Sequence, residues 1–202
     1  MTEIDTMSKA ERTRQFIIEK TAPIFNQKGY AGTSISDLTE ATGLTKGSIY
    51  GNFSNKDEVA LSAFDHNYGL IKATIRHEMD KVPDTLDKLR VWLNVFSEIH
   101  TNEAFKYGCP VLNTAIEADD THIELRKKAI GAINNWYSVI STIIKQGQEE
   151  GKIKADVNHI EFAGAYIAII EGGVMLAKVT GKMDGLNAVI KQAEKMLKDI
   201  AA

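Results

Sequence analysis

A short polar segment near the N-terminus carries the side chains best suited to contacts with a nucleic acid. Lys46 can reach a guanine edge or a phosphate, and Gly47 lets the backbone approach a groove closely. Ser48, Tyr50 and Asn52 offer hydroxyl and amide groups of the kind that hydrogen-bond to phosphates and fix a protein's register on a duplex. A solvated helical face without a partner is the alternative that these residue types leave open.

The residues around this segment predict two short helices joined by a tight turn. Ser34, with Asp37 three residues later, is typical of the capping box of a helix that begins near Ile35. Gly43 can adopt the positive φ that the turn needs, and Thr45 can cap the second helix. The pattern is that of a helix-turn-helix.

Two segments in this region, GYAGTSISDL (residues 29–38) and GLTKGSIY (residues 43–50), resemble the TetR family of transcriptional regulators. The resemblance runs from about Lys9 to Tyr68 and implies that the second helix of the motif enters the major groove. It departs from the commoner pattern at Thr39 and at Gly51-Asn52, which leaves the base specificity undetermined. The residues assigned to the DNA interface are Ser34, Ser36, Thr45, Lys46, Gly47, Ser48, Tyr50, Asn52 and Lys56.

The composition is that of an ordinary globular protein, with 202 residues, 44% hydrophobic residues and a net charge of −3. Residues 1–56 carry 7 Lys and Arg against 6 Asp and Glu, so their net charge is close to zero. Attraction of DNA must therefore depend on where the basic residues lie on the surface. A single cysteine excludes an internal disulfide, and no N-terminal segment resembles a secretion signal. The most apolar stretch, residues 162–177, contains Glu171 and falls short of the roughly twenty residues that span a bilayer. We expect a cytoplasmic protein without a membrane partner.

Helical periodicity continues along the chain and predicts an all-α protein. We expect an N-terminal three-helix helix-turn-helix DNA-binding domain at residues 9–56 and a C-terminal helical ligand-binding and dimerisation domain at residues 57–202. A long helix from about Lys56 to Asp80 should join them. In the first helix, Pro23 predicts a kink, and Gly29 predicts the C-terminal end of the helix.

The last two helices carry a row of small residues, because Gly164, Ala168 and Gly172 are spaced four apart. Such rows permit close helix packing, and the pair resembles the family's dimer interface, a four-helix bundle built by two subunits. A homodimer would read two half-sites and so gain specificity. Packing within the same chain is the alternative. The residues assigned to this interface are Gly164, Ala168, Gly172, Leu186, Val189, Ile190, Ala193 and Leu197.

Aromatic and sulfur-containing residues of the C-terminal part could line an apolar pocket, with a few polar groups to orient a ligand. Each of these side chains could instead belong to the core. The family resemblance implies an unidentified small-molecule inducer that weakens DNA binding. The residues assigned to the pocket are Trp92, Phe96, His100, Tyr107, Cys109, Asn113, Glu117, Trp136, Tyr137, Phe162 and Tyr166.

Motifs of catalysis are missing from the sequence. It has no phosphate-binding glycine loop, no His-Glu-x-x-His, no paired cysteines and no nucleophile elbow, so we expect no enzyme, cofactor or metal site. Cys109 is a candidate redox or electrophile sensor, although a free cysteine is more often simply buried. We therefore expect a ligand-responsive repressor that binds a near-palindromic operator as a dimer. The alternative is a helical ligand-binding or scaffold protein in which the helix-turn-helix is only structural.

Overall fold

A computed structural model describes residues 7–98 and 106–202, and the all-α expectation is confirmed for them. Their only β-type pairing is an isolated antiparallel bridge between Ile153 and Ala201. The helices are α1 (Lys9–Gly32), α2 (Ile35–Thr42), α3 (Lys46–Tyr50), α4 (Lys56–Met79), α5 (Thr85–Ser97), α6 (Pro110–Ala118), α7 (Ile123–Glu149), α8 (His159–Thr180) and α9 (Asp184–Ile200).

The first helix begins at a capping box and contains one break. The Ser8 hydroxyl accepts a hydrogen bond from the Glu11 N–H, and the Glu11 carboxylate accepts one from the Ser8 N–H. The backbone leaves helical geometry at Gly29, where φ is 72°, and not at Pro23. A glycine adopts this left-handed φ without a Cβ penalty, which explains why the break falls there.

The helix-turn-helix packs on a small apolar core shared with two other helices. Ile17 of α1, Leu38 of α2 and Ile49 of α3 are fully buried in it. Val59 and Ala63 from the first turns of α4 belong to the same cluster. The helix α4 therefore contributes to both parts of the protein, and its N-terminal turns position the motif.

The larger core lies in the C-terminal part, around α8. This helix is long and apolar enough to cross a membrane by length and composition alone, yet Ala163, Tyr166 and Val174 are fully buried among the other helices. The Tyr166 hydroxyl donates a hydrogen bond of 2.8 Å to the Leu89 carbonyl of α5. Such a buried polar contact ties α8 to α5 in the interior of the domain.

Candidate nucleic-acid interface and ligand cavity

The first helix of the motif begins at the predicted capping box. The Ser34 hydroxyl accepts a hydrogen bond from the Asp37 N–H (3.1 Å) and donates one to the Asp37 carboxylate (2.7 Å). Lys28 of α1 donates to the same carboxylate at 2.5 Å, and this hydrogen bond, with those from Ser34, lowers the pKa of Asp37. The Ser34 side chain is therefore engaged in capping α2, while Ser36 is exposed beside it.

The second helix of the motif, α3, presents a compact exposed surface. The Thr45 hydroxyl accepts a hydrogen bond of 3.1 Å from the Ser48 N–H, as predicted for an N-cap, and Gly43 has the predicted positive φ of 66°. Lys46 and Gly47 are exposed, and the Lys46 ammonium lies 5.9 Å from the centre of the Tyr50 ring. A side chain at Gly47 would meet only the Thr45 hydroxyl, at 3.9 Å. The internal packing of the described residues therefore does not require a glycine at this position.

The C-terminal end of α3 is held by a contact that sequence reasoning missed. Arg14 of α1 donates to the Asn52 carbonyl (2.5 Å) and to the Glu58 carboxylate (2.7 Å), and its guanidinium lies 4.0 Å from the centre of the Phe53 ring. The Asn52 amide donates to the Ser48 carbonyl at 2.9 Å. Asn52 and Glu58, the two hydrogen-bond partners of Arg14, lie 38 and 44 residues from it along the chain, so no local pattern reveals these contacts.

Lys56 differs from Lys46, because its ammonium already has partners inside the protein. It donates to the carbonyls of Tyr30 (2.9 Å) and Thr33 (3.0 Å) and lies 4.1 Å from the centre of the Tyr30 ring. The Tyr30 hydroxyl donates to the Asp57 carboxylate, and this hydrogen bond raises the pKa of Tyr30 to about 12. Lys56 thus links α4 to the connection between α1 and α2.

Two polar residues assigned to the ligand pocket form hydrogen bonds with the DNA-binding part. Glu117 of α6 accepts hydrogen bonds from the backbone N–H groups of Tyr30 (2.8 Å) and Ala31 (2.9 Å), just beyond the break in α1. Asn113, one turn earlier, donates to the Asn26 side-chain oxygen at 2.7 Å. Both residues therefore carry the contact between α6 and α1. They also line a cavity of about 330 Å³ beside α1, and their role in orienting a ligand stays a prediction.

The aromatic residues assigned to the pocket separate into two groups. Trp136 makes edge-to-face contacts with Trp92 and Phe96, with centroid distances of 6.0 Å in both pairs. Phe162 stacks on Tyr166 at 5.5 Å, and the Tyr166 hydroxyl is already committed to α5. Tyr107 contributes a backbone carbonyl that accepts from Asn113 at 3.1 Å. His100 lies outside the described residues.

Two cavities meet at Trp136. A cleft of about 330 Å³ between α4, α5 and α7 is lined by Arg76, Trp92 and Trp136, among others. A second cavity, of about 210 Å³, lies between α6, α7 and α8, where Tyr137 and Glu171 form part of its lining together with Trp136. The indole N–H of Trp92 and both carboxylate oxygens of Glu171 are buried without hydrogen-bond partners in the described part of the chain.

Glu171 and Cys109 are neighbours in this region. Burial raises the pKa of Glu171 to about 7 and that of the fully buried Cys109 thiol well above its usual value. The thiol interacts with the carboxyl group, but no hydrogen bond of normal geometry joins them. Cys109 lines the core as expected of a free cysteine. Sequence reasoning gave Glu171 no role at the site, because an isolated acidic residue in an apolar helix does not reveal its neighbours.

The residues assigned to the dimer interface also separate into groups, because some are buried within this chain and others are not. Leu186, Ala193 and Leu197 of α9 are fully buried in the chain's own core, which corrects their assignment, because they have no surface left for a partner. A Cβ at Gly164 would lie 2.6 Å from the Tyr137 hydroxyl, so this glycine serves packing against α7. Val189 and Ile190 are half-buried.

Part of the small-residue row remains on the surface of α8. Ala168 is exposed, and a Cβ at Gly172 would meet no atom of the described residues within 4 Å. Met175, Leu176 and Val179 continue this face and are 42%, 42% and 79% exposed. We call these five residues the α8 face. Its spacing places an apolar stripe along one side of the helix.

Comparisons with known proteins match both parts of the chain. Residues 17–63 match the model of bacterial regulatory proteins of the tetR family, and residues 85–193 match the tetracyclin repressor-like C-terminal domain. The second match alone covers more than half of the chain. Together, the matches include the helix-turn-helix, the cavity between α6, α7 and α8 and most of α9.

Solved structures and curated relatives agree with these matches. A TetR-family regulator from Cytophaga hutchinsonii is 43% identical, with a TM-score of 0.89 over 97% of this chain and 98% of that one. A TetR regulator from Chloroflexus aurantiacus is 34% identical, with a TM-score of 0.92 over 96% and 98%. The HTH-type transcriptional repressor DhaR of a Mycobacterium species is 24% identical over 174 residues, which are 86% of each chain.

Proposed function

Because the chain belongs to the TetR family of DNA-binding transcriptional regulators, we propose that it is a repressor that binds a near-palindromic operator as a homodimer and releases it when a small molecule binds. The observation that carries the DNA-binding part is the exposed surface of α3 at Lys46 and Gly47, held in place by the Thr45 cap and by Arg14. The expected location is the cytoplasm, and regulation rather than catalysis is the expected activity.

The DNA contact centres on Lys46 in this proposal. Its ammonium forms no ion pair within residues 7–98 and 106–202, so a phosphate or guanine edge would not have to displace an internal partner. Gly47 and Tyr50 lie near it, Ser48 and Thr45 border the same surface, and Ser36 is exposed in the first turn of α2. Lys56 and Ser34 support this surface through their internal hydrogen bonds, which makes them positioning residues first.

The dimer forms through the α8 face. Exposed Val179, Met175 and Leu176 provide apolar area, and Gly172 and Ala168 allow a partner helix to approach closely. Two-fold symmetry about this face would present two copies of α3 to half-sites separated by about 34 to 36 Å, or one further turn, along the duplex.

The helix α6 provides the route from ligand to DNA. Leu112 and Ala115 line the cavity between α6, α7 and α8, whereas Asn113 and Glu117 of the same helix hold α1. A ligand that moves α6 would therefore move α1 and the motif packed on it. It regulates DNA binding only if it binds the two arrangements with unequal affinity.

Selection of genomic fragments by the full-length protein tests this function. Fragments that share a near-palindromic sequence, recovered by the protein and not by its Lys46→Ala variant, would support the operator-binding repressor. Recovery of unrelated fragments at equal frequency would favour the alternative, a helical ligand-binding protein whose helix-turn-helix is only structural.

A further inference from the structure

We propose that the cavity around Glu171 binds a small organic cation, with the Glu171 carboxylate as its counter-ion and the surrounding aromatic rings as its walls. The consequence for transcription rests on the proposed ligand-responsive function. Binding itself does not, since it is a property of the free protein.

The first observation is that the carboxyl group lacks a strong hydrogen-bond donor, because the thiol of Cys109 that interacts with it is a weak one. Glu171 is 9% exposed, and neither of its oxygens has a hydrogen-bond partner among the described residues. Buried acidic groups are normally paired or hydrogen-bonded, because an unpaired one costs a large desolvation free energy. Glu171 is also one of the residues that line the 210 Å³ cavity, so a ligand there that donates hydrogen bonds is a natural partner for its buried oxygens.

The second observation is the chemistry of the walls. Trp136 and Tyr137 line the 210 Å³ cavity together with Glu171, and Trp92 and Phe96 line an adjoining space of only about 10 Å³. Aromatic faces attract cations, most strongly when both are shielded from water. The aromatic cluster and the carboxylate therefore favour the same sign of charge in a ligand.

The third observation is the lack of a protein cation at this place. The described side chains that line the two spaces beside Glu171 include no lysine or arginine. Lys178, two turns along α8, donates instead to the Asn113 side chain at 2.6 Å. The negative charge is thus left for a ligand to neutralise.

An anion or a neutral apolar molecule fits less well. An anion would repel the ionised carboxylate, and an apolar molecule would leave both oxygens without donors. An ammonium group supplies several donors and a charge-assisted hydrogen bond. The cavity lies below the usual range of ligand sites, which restricts the ligand to about one ring with a short chain.

Three probes of matched size test the proposal: 2-phenylethylammonium, 2-phenylethanol and phenylacetate. Both tryptophans of the chain line the spaces beside Glu171, so their fluorescence reports binding directly in the absence of DNA. At pH 8 we expect the ammonium to bind at least about tenfold more tightly than the alcohol, and phenylacetate more weakly than both. Equal binding of the ammonium and the alcohol, or no binding of the ammonium, would overturn the proposal.

Glu171→Gln removes the charge and keeps the shape. We expect it to abolish the preference for the ammonium over the alcohol, whereas Glu161→Gln, which changes an exposed carboxylate on the same helix, should retain the wild-type preference. A preference that persists in Glu171→Gln would contradict the role of the carboxylate.

A pH series in the unmodified protein gives a second test that needs no variant. The other titratable side chains facing Glu171 are Cys109, whose pKa is raised by burial, and Tyr137. Ammonium affinity should fall as the pH drops below about 7, where Glu171 becomes protonated, while alcohol affinity should not. Parallel pH profiles would overturn the proposal. Amine binding that leaves DNA affinity unchanged would instead contradict the proposed ligand response and leave the site intact.

Discussion

The Glu117 carboxylate accepts a hydrogen bond of 2.8 Å from the backbone N–H of Tyr30, across a separation of 87 residues. The Ala31 N–H donates to its other oxygen at 2.9 Å. These two N–H groups follow the break at Gly29 and lack the helical partners that a continuous α1 would give them. Glu117 thus caps the last turn of α1 from a helix that also borders the cavity between α6, α7 and α8.

Replacement of Glu117 by Ala should weaken the attachment of α6 to α1. Two N–H groups lose their acceptor, so we expect a loss of about 1 to 3 kcal/mol in the free energy of unfolding. Urea unfolding measures it. Glu124→Ala is the control, because among the described residues Glu124 forms only an exposed ion pair with Lys127, and such pairs contribute little. Equal stability of the two variants would show that the capping contact does not hold in solution.

Gly47→Ala should separate fold stability from DNA binding. A Cβ there meets only the Thr45 hydroxyl at 3.9 Å, and alanine favours a helix over glycine by up to about 1 kcal/mol. The variant should therefore unfold at a temperature equal to or higher than the wild type. DNA affinity should nevertheless fall, because the added methyl group keeps α3 away from the groove. Unchanged operator affinity would show that the backbone at Gly47 does not approach the duplex.

Gly172→Leu should yield a folded monomer. The position faces open space in the described chain, so the leucine clashes only with a partner helix. Sedimentation velocity measures the association state, and helical circular dichroism the fold. Gly131→Leu, at an exposed helix position on α7 that is equally open, should stay dimeric. A Gly172→Leu protein that remains a dimer would remove the α8 face from the interface.

The stability of the protein should depend on pH through Glu171. Burial raises the pKa of this group in the folded state to about 7 from an ordinary 4.5, so the folded protein binds the proton more tightly than the unfolded chain. This contribution is fully present below pH 4.5 and is lost as the pH rises through about 7. The free energy of unfolding of Glu171→Gln, taken relative to wild type, should therefore be higher at pH 8 than at pH 5, by up to about 3 kcal/mol. Urea titrations at both pH values measure the difference, and a constant difference would contradict the burial of an unpaired carboxyl group.

Local signals in the sequence predicted much of the fold. The Ser34–Asp37 capping box, the positive φ at Gly43 and the Thr45 cap each depend on residues no more than three apart, and the structure contains all of them. Residues that pack across the chain were harder to assign. Periodicity places Leu186 on an apolar face but does not say whether that face meets α8 of the same chain or of a partner.

The candidate ligand site shows the same limit. Glu117 and Asn113 were sensible polar candidates near aromatic residues, but their partners in α1 lie 86 and 87 residues away and leave no local pattern. Glu171 stood out only as one charge in an apolar helix. Its significance depends on the absence of a partner among the described residues, which requires the packing of α5, α6 and α7 around it.

The central claim is that the exposed surface of α3 binds DNA through Lys46. Fluorescence anisotropy of the full-length protein on a labelled operator duplex, titrated at several salt concentrations beside a scrambled duplex, tests it most directly. We expect tighter binding to the operator than to the scrambled duplex. The logarithm of the association constant should fall linearly with the logarithm of the salt concentration, and the slope of this line should be about 1 smaller in magnitude for Lys46→Ala than for wild type. Equal binding to both duplexes, or an identical slope in the variant, would contradict the claim.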